Sequence, residues 1–68
     1  MIKIGSLVSR AMTIILYYDD KAKSNPYRIY KKYWDNGWHK KLIEKYENLA
    51  SCTWWVAHFI QEHDQDRI

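Results

Sequence analysis

The sequence predicts an all-α fold, three helices in an antiparallel arrangement with a long C-terminal member, and three observations predict it. Apolar residues recur at helical spacing through the first segment. Asn25-Pro26 and Asn36-Gly37 sit where helix boundaries would fall, and no proline or glycine follows Gly37.

The first helix is expected over about 4–18. Ile4, Leu7, Val8, Ala11, Ile15 and Tyr18 follow the i, i+3, i+4, i+7 rule, with Ser6, Ser9, Arg10, Thr13 and Tyr17 opposite. The run Thr13-Ile14-Ile15-Leu16 is rich in β-branched residues, yet it lacks the apolar/polar alternation of a half-buried strand. Asp19 to Ser24 is a polar connection of ordinary length. Asn25 then reads as an N-cap and Pro26 as the first helical residue, where a missing N–H does no harm. The second helix spans about 26–35, with Tyr30, Tyr33 and Trp34 inward and Arg28, Lys31, Lys32 and Asp35 outward; Asn36-Gly37 ends it. A third helix is expected over about 38–62. Trp38, Leu42, Tyr46, Leu49, Thr53, Val56 and Ile60 make a nearly heptad seam, and Lys40, Glu44, Glu47, Asn48 and Ser51 collect outside it. His63, Asp64 and Asp66 form a polar tail.

A chain of 68 residues makes one domain whose core supplies only a few kcal/mol. Its single cysteine, Cys52, closes no ring within the chain and favours a reducing compartment, hence a cytoplasmic protein. Ser6, Ser9 and Arg10 interrupt the first apolar stretch, which argues against a signal peptide, and Ile14 to Tyr18 is far short of the roughly 20 residues that span a bilayer. A membrane-surface helix at the N-terminus would want a basic stripe that is missing. With 16% aromatic residues, four Trp and six Tyr against one Phe, the composition suits half-buried positions and interfaces. The net charge of +3 is compatible with a nucleic-acid partner without requiring one.

Two candidate surfaces follow. A third helix of that length would measure about 37 Å, against a diameter of roughly 28 Å for a compact domain of this size. Its second half is therefore expected to leave Trp55 and Phe59, with Cys52 and Ser51 as small neighbours, for a second copy or another protein. A homodimer satisfies that face most simply. The second surface is the stretch from Tyr27 to Tyr46, where six Lys and Arg residues are interleaved with Tyr and Trp. Arg28, Lys31, Lys32, Lys40 and Lys41 would steer an acidic protein surface or contact phosphates. A helix-turn-helix can be drawn across Asn36-Gly37, but His39, Lys40 and Lys41 lack the Asn, Gln or Ser usual among base-reading residues.

No enzyme, metal or cofactor site is expected. His58 and Glu62 share a helix face with Cys52 one and a half turns off, but a fourth ligand is wanting. Ser51 and His58 are two turns apart, too far for a nucleophile and its base. Asp19-Asp20 lacks the spacing of a calcium loop. The function expected is a small non-enzymatic interaction module, an adaptor, inhibitor or regulatory subunit acting by occlusion. The alternative is a basic nucleic-acid-binding regulator using the patch from Arg28 to Lys45.

Overall fold

A computed structural model describes residues 1–62, and it overturns the three-helix expectation. The chain forms four strands, β1 (Ile2–Val8), β2 (Thr13–Tyr18), β3 (Tyr27–Trp34) and β4 (Trp38–Tyr46), then one helix, α1 (Leu49–Glu62). Each strand pairs antiparallel with the next, so the sheet order is the chain order. The polar tail from His63 onward lies outside the described residues.

Each misread boundary has a local cause. Between β1 and β2 the chain turns at Ser9, whose amide and hydroxyl both donate to the Met12 carbonyl at 2.9 and 2.8 Å. The same hydroxyl accepts from the Met12 amide at 3.2 Å, so this buried side chain satisfies the turn from within. In β2, Ile14 and Ile15 are 2% and 7% exposed although they point to opposite faces. Ile14 packs in the core beneath α1 and Ile15 is flanked by Tyr30 of the neighbouring strand, so both are buried and the apolar run lacks alternation.

Asn25-Pro26 bounds a strand instead of opening a helix. Asn25 takes a left-handed φ of 48° and donates its amide to Glu47 Oε2 at 2.8 Å, while the Pro26 carbonyl accepts from the Asp19 amide at 2.8 Å. Asn36 (φ 54°) and Gly37 (φ 140°) then make the β3–β4 hairpin, with the Asp35 amide donating to the Gly37 carbonyl at 2.9 Å and Trp34 facing Trp38 across it. The expected third helix is two elements. Trp38 and Leu42 lie four apart on one side of β4, a spacing that keeps one face of a strand as well as of a helix, and the register shift opposite Ile29 and Tyr30 turns Tyr46 to the other side. The helix proper starts at Asn48, whose Oδ1 accepts from the Ser51 amide at 2.9 Å.

α1 packs on one face of the sheet. The core between them is Ile14, Ile29, Cys52 and Phe59, ringed by Leu7, Met12, Leu16, Tyr27, Ile43, Tyr46 and Trp55. Fourteen residues make a helix of about 21 Å, shorter than the sheet it lies on. No overhanging rod remains, and the length argument for an uncovered helix end falls with it.

Candidate functional site

Among the described residues a single helix lies against one side of the sheet and no element covers the other. Cross-strand pairing shows what that side presents, because residues directly opposite one another share a face. Three rows cross the sheet there: Lys3, Tyr17, Arg28 and Lys45; Ser6, Ile15, Tyr30 and Leu42; and Val8, Thr13, Lys32 and Lys40. Two residues beyond the last row, the pair Trp34 and Trp38 closes the face at the hairpin tip. These rows hold five basic residues and no acidic one. Ile15 is buried and yet stands apart from the helix-side core, so the open face has a small apolar centre of its own beside Tyr30.

The basic and aromatic groups are in register with one another. Lys40 Nζ lies 4.9 Å from the Tyr17 ring centre and 5.4 Å from that of Tyr30, and it donates to the Tyr17 hydroxyl at 3.4 Å. Tyr17 and Tyr30 meet edge to face at 5.3 Å. At the tip, Lys32 Nζ is 5.1 Å from the Trp38 ring, which in turn meets Trp34 edge to face at 5.4 Å. Both indoles are 65% exposed, far beyond what rings of that size normally tolerate without a purpose. A ring quadrupole attracts each ammonium by about 0.5–1 kcal/mol at such exposure, enough to bias the lysine stems across the sheet without fixing them there.

The five steering residues read from the sequence divide between the two sides. Arg28, Lys32 and Lys40 come together on the open face, whereas Lys31 and Lys41 pair on the helix side. Lys31 there lies 5.1 Å from the Tyr33 ring, and Tyr33 stacks on His39 at 5.4 Å. Arg28 is held by Asp19 at 3.5 Å with its side chain 25% exposed, and its buried Nε has no hydrogen-bond partner among the described residues. Helical periodicity turns Tyr30, Trp34 and Trp38 inward as core residues, takes Lys45 only as the end of the basic patch and leaves Lys3 and Tyr17 outside both surfaces. An alternating reading of "YRIYKKYW" around the Asp35-Asn36-Gly37 turn would have found most of them.

The other expected patch is distributed differently. Cys52 and Phe59 are core residues; Trp55 is half-buried and stacks on Phe59 at 5.4 Å, and the Ser51 amide donates to the capping Asn48 Oδ1. It is Trp54 that faces outward, 60% exposed, its ring tilted 31° against that of His58 at 3.9 Å, with His58 Nδ1 2.9 Å from the Trp54 carbonyl. Burial pushes the Cys52 thiol above its ordinary pKa, and burial, then the charges of Glu44 and Cys52, do the same for Tyr46. Both groups are thereby kept neutral, which suits packing and not nucleophilic attack. Among the described residues no cluster of three His, Cys, Asp or Glu side chains is placed to hold a metal, and no helix is long and apolar enough to cross a membrane.

In comparison with known proteins, the chain matches no family model, no curated protein and no solved structure.

Proposed function

We propose that this protein binds single-stranded nucleic acid across the open face of its sheet. The observation that supports this reading is the coincidence, on one face that no described element covers, of lysine ammoniums with half-buried tyrosine and exposed tryptophan rings and of no acidic side chain in the same rows. Ammoniums neutralise phosphates, and outward rings offer flat surfaces to bases. A duplex hides its base faces in the stack, so the rings favour unpaired strands. Binding proceeds by exchange: a base takes the place of Lys32 over Trp38 or of Lys40 over Tyr17 and Tyr30, and the released ammonium turns to the neighbouring phosphate. The cation–π contacts thus hold each lysine beside its future partner at small cost.

The test is fluorescence anisotropy with a labelled oligothymidylate, its duplex, and polyglutamate as competitor, over a range of salt concentrations. Three or four lysines on phosphates give a slope of log K against log salt of about −2 to −3. Single strand should bind more tightly than duplex, and polyglutamate should compete poorly. Equal competition by polyglutamate at matched charge would reassign the face to an acidic protein, and no binding at low salt would end the proposal.

A further inference from the structure

The sheet has two edges, and they are protected unequally. Among the described residues, pairing leaves β1 and β4 each with one unpaired side. A bare edge is a template for another strand, and charges along it are the usual protection. β4 has that protection in His39, Lys40, Lys41, Glu44 and Lys45. β1 has Lys3 alone, followed by Ile4, Gly5, Ser6, Leu7 and Val8. Four of the exposed large apolar residues, Met1, Ile2, Ile4 and Val8, lie on or next to this strand, each about half exposed. The bulge against β2 falls between Lys3 and Gly5, so Gly5 to Val8 remain in regular register and present a straight edge.

We infer that β1 is the contact for a second copy of this chain, pairing antiparallel with its own counterpart to join two sheets into one of eight strands. Several features select a second copy over another occupant. Antiparallel pairing of one strand with itself is closed under a twofold axis, whereas β1 on β4 would propagate head to tail without limit and must meet the charged edge. Pairing centred near Ser6 joins the regular stretches Gly5 to Leu7 of the two copies and brings Ile4, at the bulge, toward Val8 of the other copy, twice, so that exposed apolar side chains at both ends of the contact shield one another. It also places the two Lys3 residues at opposite ends of the contact, where they do not repel. A pairing of this length falls in the class of interfaces under about 1,200 Å², which gives a dimer of micromolar and not nanomolar strength.

The axis relating two antiparallel strands of one sheet runs along the sheet normal. Both helices therefore lie on one side of the dimer and both basic aromatic faces on the other. The dimer rests on the strand edge alone and stands whether or not those faces bind nucleic acid; if they do, it makes a single platform of twice the width, with the gain in avidity that linked sites bring.

Analytical ultracentrifugation of the full chain without nucleic acid tests this directly. The weight-average mass should climb from one chain toward two as concentration rises through the micromolar range. Ile4→Lys with Val8→Lys puts like charges face to face across the axis and should hold the protein at monomer mass, with an unchanged circular dichroism spectrum because both sites are exposed. As a check that does not depend on that variant folding, Ser6→Cys should oxidise to a covalent dimer faster than Lys45→Cys on the other edge. A wild type that stays monomeric to millimolar concentration overturns the inference. So does a dimer that survives the paired lysines but dissociates on Trp54→Glu, or equal oxidation rates at the two edges.

Discussion

Trp34 and Trp55 are both indoles in aromatic pairs, and the structure gives them opposite kinds of work. Trp34 is 65% exposed and meets Trp38 edge to face, so its removal deletes surface and little packing. Trp34→Ala should leave stability within about 0.5 kcal/mol of wild type. A base stacked on an exposed ring is worth about 1–3 kcal/mol, so the same change should weaken single-strand binding by roughly 5- to 160-fold in an anisotropy titration. Trp55→Ala removes a half-buried ring stacked on Phe59 at the rim of the core, and should lower the melting temperature while leaving the affinity of the folded fraction unchanged. Cys52 offers a third test at this scale. Its thiol has no exposed surface and its pKa is raised in the folded state. An acid whose pKa is higher folded than unfolded stabilises the fold while both states are protonated, and that contribution disappears as pH rises past the unfolded value. Stability should therefore fall above about pH 9, and the fall should be shallower in Cys52→Ala, with Tyr46 accounting for part of what remains.

At the scale of elements, the sheet and helix depend on a few apolar contacts and on local turns. Ile29 is fully buried at the centre of the core, and Ile29→Ala should cost about 2–5 kcal/mol, enough to unfold a domain this small in a circular dichroism melt. Gly37 stands at φ 140°, where a side chain strains the backbone although the space around it is open, so Gly37→Ala should destabilise the β3–β4 hairpin without any clash. The punctuation of these elements was visible in the sequence; their periodicity was ambiguous. Asn25-Pro26 and Asn36-Gly37 do mark boundaries, but a left-handed Asn followed by Gly or Pro serves a strand end as well as a helix end. Trp38 and Leu42 fit both periods because four is near 3.6 and is also even, while the bulge in β4 carries Tyr46 to the helix side. Ile14 and Ile15 defeat the test of alternation because Tyr30 lies beside one and the helix covers the other. The basic stretch was recognised as a unit, whereas its division between two faces needed the strand register. Read as helices, its rings pointed inward; read as strands, Tyr30, Trp34 and Trp38 share a side with Lys32 and Lys40.

The molecule as a whole is a thin slab, 34 × 27 × 15 Å, with one helix behind a four-stranded sheet. That shape follows from the small number of apolar side chains available to a second layer, and it leaves the front of the sheet to the solvent or to a ligand. Charge and rings on that front act together, so Lys32→Ala with Lys40→Ala should both weaken binding and reduce the salt slope by roughly one unit or more, whereas Lys31→Ala with Lys41→Ala on the helix side should change neither by much. The most direct measurement is an amide and indole NMR titration with a short oligothymidylate, which reads each face separately in one experiment. Shifts should concentrate at Tyr17, Tyr30, Lys32, Trp34, Trp38, Lys40 and Leu42 and at the indole N–H groups of Trp34 and Trp38, with Val56, Trp55 and Phe59 still. Shifts confined to the helix side, or none at saturating oligonucleotide, would contradict the assignment of the open face as the binding surface.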